Sequence, residues 1–220
     1  MKTLFTDAEK ENIRQAVARA EGRTAGEIVP YIIEQSSRYD VAIWRGASLA
    51  AVLAMALAVI VMQVYQGWGL SWLYASSGIV ALALVAGTLG AFAAAYILPL
   101  KRLLAGTTLI ERRVHEQAMK AFVEEEVFFT RDRTGILLFI SLLEHRIEVL
   151  GDTGINQKVD TDEWVDVVLR IREGIRQGKL AEGLVEAIGM CGELLERGGV
   201  TIRPDDINEL PDGVRIREDD

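Results

Sequence analysis

A chain of 220 residues that is 50% hydrophobic and 25% charged, with a mean hydropathy of +0.19, carries too much apolar surface to stay disordered. Its single cysteine, Cys191, excludes a disulfide scaffold. A net charge of -8 and a pI near 5.0 argue against a nucleic-acid partner, whose electrostatic footprint would be basic.

At the N-terminus, Thr6-Asp7-Ala8-Glu9 has the form of a capping box, in which Thr6 and Glu9 satisfy each other's free amides at a helix start. Ile13, Ala16, Val17 and Ala20 follow at helical spacing, and Gly22 closes the predicted helix. The run Glu27-Ile28-Val29-Pro30-Tyr31-Ile32-Ile33-Glu34 is short, β-branched and aromatic, and reads as a strand. Pro30, which has no N–H to give a ladder, points to a sheet edge or an early ladder position.

From Gly46 to Leu98, 53 consecutive residues carry no formal charge. Two apolar blocks, Ala47 to Tyr65 and Leu73 to Leu98, flank the segment Gln66-Gly67-Trp68-Gly69-Leu70-Ser71-Trp72. Each reaches the roughly 20 residues that a helix needs to cross a bilayer, so residues 43–98 read as a membrane hairpin. Trp44, Tyr65, Trp68, Trp72, Tyr74 and Tyr96 stand where interfacial aromatics belong, and Arg38, Arg45, Lys101 and Arg102 lie on the flanks. Positive-inside bias then places both termini in the cytoplasm, with two spans in the cell membrane. Residues 1–42 contain no apolar stretch of the kind a cleavable signal requires.

Small residues, among them Ala47, Ala50, Ala51, Gly87, Gly90 and Ala94, would let the spans approach closely. Gly87 and Gly90 miss the GxxxG spacing, which reads as generic hairpin packing or oligomerisation. Without an ionisable group at mid-membrane, the hairpin has the marks of an anchor rather than of a transport path.

Outside the hairpin roughly a third of the residues are charged, as in a soluble domain. Thr108-Leu109-Ile110-Glu111 has the form of a second capping box, leading a helix with Val114, Ala118, Ala121 and Phe122 on its apolar face. Glu124-Glu125-Glu126 ends that helix where the dipole prefers cations, which reads as a solvated terminus or a local acidic patch. Ile136 to Leu142 is the nearly continuous apolar run of a central strand, and Arg146 to Leu150 alternates like a half-exposed one, with a hairpin turn near Glu144-His145. Two helices follow, about Asp162 to Gln177 and Ala181 to Arg197. The tail from Arg203 is acidic; Gly213-Val214-Arg215-Ile216-Arg217 could form a partner-binding strand, beside the alternative of a loosely docked end.

The stretches Thr134-Gly135-Ile136-Leu137-Leu138-Phe139-Ile140 and Arg146-Ile147-Glu148-Val149-Leu150-Gly151-Asp152-Thr153-Gly154-Ile155, with Gly178-Lys179-Leu180-Ala181-Glu182-Gly183-Leu184 and Thr24-Ala25-Gly26-Glu27-Ile28, resemble the TPM domain, named for thylakoid lumen, photosystem II repair and MOLO proteins. The resemblance covers about 1 to 35 and 107 to 200. It implies an α/β sandwich with a central sheet flanked by helices, here interrupted by a two-helix transmembrane hairpin. The chain departs from the family's pattern in that hairpin and in lacking its usual signal peptide.

Some TPM proteins are described as acid phosphatases or as binders of calcium or another divalent cation, and others act in assembly or repair of membrane complexes. Carried over, those activities would fall on Asp132, Asp152, Asp160, Asp162 and Glu163, because a hard cation needs several anionic oxygens to replace its water shell. Asp160 with Glu163 also makes a good helix cap, a reading that comes first and does not exclude the other. Cys191 lies in an apolar helical stretch with no neighbouring base, and His115 and His145 stand alone as solvated residues, so no nucleophile is marked.

The expected organisation is a split α/β domain: 1–42 as its first helix and strand, 43–98 as the hairpin, 99–202 as its remainder and 203–220 as an acidic tail. Its expected partners are the lipid bilayer through residues 43–98 and other membrane proteins or a second copy, with no nucleic acid. Its expected role is that of a cytoplasmic-face binding, scaffold or regulatory module, the alternative being a divalent-cation-dependent acid phosphatase.

Overall fold

The computed structural model describes residues 4–64, 75–202, 204–205 and 208–217. Tyr65, Trp68, Trp72, Tyr74 and the rest of the segment joining the two apolar blocks lie outside the described residues, as do Arg203, Ile207 and the last three acids. The chain divides into two compact units, Met1–Ser36 with Glu111–Asp220, and Ser37–Ile110.

The first unit begins with α1 (Asp7–Glu21), whose start is the capping box read from sequence: Glu9 N donates to Thr6 Oγ1 at 3.2 Å, and Thr6 N to Glu9 Oε2 at 2.7 Å. Strand β1 (Glu27–Ile33) pairs in parallel with β2 (Gly135–Ser141), which turns back antiparallel into β3 (Arg146–Gly151). A short β4 (Arg215–Arg217) lies parallel on the other side of β1, giving the mixed order β3-β2-β1-β4. The tail therefore completes its own sheet, and β1 is an inner strand.

Pro30 is tolerated there for a local reason. Glu27 N points toward β2, where it donates to Thr134 O. Alternation then turns the nitrogens of Ile28, Pro30 and Ile32 toward the β4 side, and β4 pairing begins only at Tyr31. Pro30 faces a stretch where no partner strand waits for an N–H.

One face of the sheet, carrying Ile28, Ile32, Ile136, Leu138 and Ile140, forms the core with Ile13 and Val17 of α1, Ile171 of α7 (Val165–Arg176), and Leu184, Ile188 and Leu195 of α8 (Leu180–Arg197). The helix expected from Asp162 begins instead as a 3-10 turn at Thr161–Trp164. The opposite face carries Val29, Tyr31, Leu137 and Phe139, with Tyr31 and Phe139 stacked at 5.8 Å between ring centroids. The helix α5 (Thr107–Glu124) brings its buried Val114, Ala118 and Ala121 there and is tied to β3 by Glu111–Arg146 and His115–Glu148, each under 3 Å. His115 is thus paired across elements rather than solvated alone. The architecture is an α/β sandwich with helices on both faces of a central sheet.

The second unit holds α2 (Asp40–Val64) and α3 (Ser76–Tyr96), both long and apolar enough to cross a membrane, followed by the eight-residue α4 (Leu98–Ala105). Gly106, at φ 84°, ends α4, and α5 starts at Thr107, ahead of the expected box, so Thr108 lies inside the helix. The hairpin closes on two pairs with four-residue spacing, Gly46/Ala50 and Gly90/Ala94. A Cβ on Gly90 would lie 2.4 Å from Gly46 O, and one on Gly46 would lie 2.7 Å from Ala94 Cβ. Gly46, just behind Arg45, is the contact that inspection of Gly87 and Gly90 alone misses.

Candidate functional site

The five carboxylates singled out above do not converge. Asp152 is buried at the N-terminus of the one-turn helix α6 (Thr153–Asn156), where its Oδ1 accepts from Thr153 N at 2.7 Å and from Arg133 Nη2 at 3.0 Å. Arg133 Nε lies 2.7 Å from its Oδ2, an ion-pair contact without hydrogen-bond alignment. Asp160 and Glu163 form a reciprocal capping box, Glu163 Oε2 accepting from Asp160 N at 3.0 Å. Asp132 and Asp162 are exposed. Among the described residues no three His, Cys, Asp or Glu side chains are placed to hold a metal ion.

Carboxylates do converge elsewhere, at the edge of β1 under the tail. Glu21, the last residue of α1, turns its Oε1 to accept from Ile28 N at 2.8 Å. Its Oε2 is buried with no hydrogen-bond partner among the described residues. Burial pushes the Glu21 carboxyl up to about 8, against the Ile28 N–H, with the charges of Glu27 and Asp212 adding to the rise and Arg215 opposing it. Glu27, 6% exposed, accepts from Glu209 N at 3.2 Å and Leu210 N at 3.3 Å, so a side chain of β1 carries the backbone of the tail. Sequence reasoning missed Glu27 because the tail amides it holds lie more than 180 positions away, and Glu21 because no local pattern marks a carboxyl that will be buried over Ile28 N near Asp212 of the tail.

Two of the three glutamates at the end of α5 belong to the same seam. Arg215 pairs with Glu125 at 3.1 Å and Arg217 with the exposed Glu124 at 2.8 Å, so two of the three are partnered by the arginines of β4. In a double-mutant cycle, Arg215→Ala and Glu125→Ala should show a coupling of about 1 kcal/mol, since this pair is more shielded than a surface bridge. Hydrogen exchange at Tyr31 to Ile33 should quicken in both single variants; unchanged exchange would mean that the pair does not hold β4 down.

At the opposite end of β1, Ser36 Oγ lies 2.8 Å from Ser141 Oγ, while the two oxygens of Glu144 take Ser36 N, at 2.8 Å, and Ser141 Oγ. This buried network locks the β2–β3 turn to β1. Cys191 is fully buried in α8, and that burial pushes its thiol up to about 12. A cavity of about 400 Å³ runs between α1 and α8, lined by Glu9, Gln15, Arg19, Glu182, Val185 and Glu186.

No protein-family model matches the chain, and no curated protein matches it. Among solved structures it is similar to the NMR structure of BA42 protein from the psychrophilic bacterium Bizionia argentinensis, at 18% identity with a TM-score of 0.58, covering 99% of this chain and 98% of that one. At that identity the likeness bears on the fold alone.

Proposed function

We propose that this chain is a membrane-anchored, TPM-like module whose α2–α3 hairpin crosses the cell membrane and whose α/β unit works at the cytoplasmic face as a binding, scaffold or regulatory element of membrane protein complexes. The observation that carries the reading is the exposure of the hairpin. Buried residues make up only 6% of the most apolar window of α2 and 17% of that of α3, whereas a core helix of a soluble protein would be mostly covered. Leu53, Leu57, Ile60, Leu84 and Leu89 are all more than half exposed, a surface that lipid can cover and water cannot. The charges at the ends of the hairpin favour cytoplasmic termini.

Because Cys191 is buried and its thiol is protonated at ordinary pH, a single cysteine introduced at Ser71 supplies a clean topology probe. The chain should stay in alkali-washed membranes, and Ser71→Cys should react with an impermeant maleimide from outside intact cells. Extraction by alkali would overturn the anchor, and reaction only after the cytoplasmic side is opened would overturn the orientation. For the binding role, a photo-crosslinker at Gln15 in the α1–α8 groove should trap a membrane protein of defined mass in native membranes. Crosslinks to lipid alone would overturn it.

A further inference from the structure

We infer that the shoulder between α2 and α4 is a binding site for an anionic phospholipid. This rests on the membrane-spanning reading above. Trp44, Ser48, Leu49, Val52 and Leu104 line a groove of about 610 Å³ with Arg45 at its rim, within the size range of built small-molecule sites. Trp44, Ser48 and Val52 recur at four-residue steps along one side of α2. Gly46 and Ala50, which meet α3, lie on the other side, so the groove opens away from the hairpin contact.

Arg45 is the charged residue of a groove whose floor is apolar, and two further cations lie close by in α4. Arg45 Nη1 donates to Leu104 O at 2.8 Å and Ala105 O at 3.0 Å, the last carbonyls of α4, which fixes the guanidinium at the groove mouth and holds α4 against α2. Lys101 lies one turn earlier in α4, on the side that carries Leu104 and Ala105, with Arg102 beside it. Among the described residues neither Lys101 nor Arg102 pairs with a carboxylate.

Three cations at the edge of an uncharged stretch, in a chain of net charge -8, complement a phosphate head. Leu49 and Val52, each more than half exposed below Trp44, complement acyl chain. A soluble anion would use the rim and leave the floor bare. A neutral lipid would use the floor and leave the cations unmatched.

The test uses the full chain in detergent, with phosphatidylglycerol and phosphatidylcholine of identical chains as probes, read by native mass spectrometry and by the shift of thermal unfolding. Phosphatidylglycerol should bind at least about tenfold more tightly, and Lys101→Gln with Arg102→Gln should weaken it by about fivefold per cation removed. Arg45 is left intact because it anchors α4. Ser48→Phe, which fills the floor without touching a charge, should also weaken phosphatidylglycerol binding. Equal binding of the two lipids, or an undiminished preference in the Lys101/Arg102 double variant, would overturn the site. So would protection by inorganic phosphate equal to that by the lipid, which would reveal a soluble-anion site instead. A chain that leaves alkali-washed membranes defeats the spanning reading; a chain that stays there without lipid preference defeats the lipid site alone.

Discussion

Replacing Gly135 by alanine should lower the thermal unfolding midpoint of the α/β unit by roughly 6 to 12 °C, while Gly189→Ala should leave it unchanged or raise it slightly. Gly135 opens β2, pairing with Glu27 on one side and accepting Asp152 N through its own carbonyl at 2.9 Å. A Cβ there would lie 1.9 Å from Val127 O and 2.8 Å from Val127 Cγ1. The first of these atoms is backbone and cannot rotate away, so β2 or the turn after α5 must move. Overpacking of this kind costs about 3 kcal/mol, and for a unit of this size each kilocalorie is worth about 2 to 4 °C. Gly189 is the control within the same unit. It lies inside α8, a Cβ there would meet nothing within 4 Å, and alanine favours a helix by up to about 1 kcal/mol over glycine. Equal midpoints for the two variants would show that Val127 yields, and that the approach of the α5 turn to β2 does not constrain the sheet.

Local chemistry made much of this architecture legible. The Thr6/Glu9 and Asp160/Glu163 boxes, the apolar run of β2 and the alternation of β3 each depend on residues within a few positions of one another, and each forms as its pattern implies. The separation of charged from uncharged sequence likewise exposed the hairpin before any packing was known. What escaped was set at a distance. Nothing near Glu21 marks a carboxylate that will sit over the amide of Ile28 beneath a tail from the other end of the chain. Glu124 and Glu125 look like a solvated acidic end until β4 delivers Arg215 and Arg217. Gly46 and Gly90 gain meaning only when α2 and α3 lie side by side and a Cβ would strike a backbone. The carboxylates chosen for divalent-cation chemistry share a neighbourhood in sequence, yet local caps and Arg133 claim the most structured of them. The residues that do gather, Glu21 with Glu27 and Asp212, come from the two ends of the α1–β1 connection and from the distant tail.

That gathering makes the fold pH-dependent, and Glu21→Gln should remove the dependence. In the folded chain the Glu21 carboxyl titrates near 8, whereas in the unfolded chain it titrates near its ordinary value of 4.5. Below the lower value both states hold the proton and Glu21 is neutral in stability. Between the two, the folded chain keeps a proton that the unfolded chain has released, so stability falls as pH rises, and the loss is complete above the folded value. Allowing for the partial solvent access of the side chain, the full loss is about 2 kcal/mol. Glutamine keeps an oxygen for Ile28 N–H and cannot ionise. The Glu21→Gln chain should therefore match the parent near pH 4.5 and exceed its stability by about 2 kcal/mol at pH 8.5, as measured by denaturant unfolding of the full chain across that range. Ionised Glu21 also faces Glu27, which carries the backbone of Glu209 and Leu210, and Asp212 of the same tail. The destabilisation should hence appear first as faster hydrogen exchange at Leu210 and at β4, and only later across β2. Parallel pH profiles for the two chains would show that the carboxyl is solvated in solution, and that the edge of β1 is closed by the tail's own contacts without a protonated Glu21.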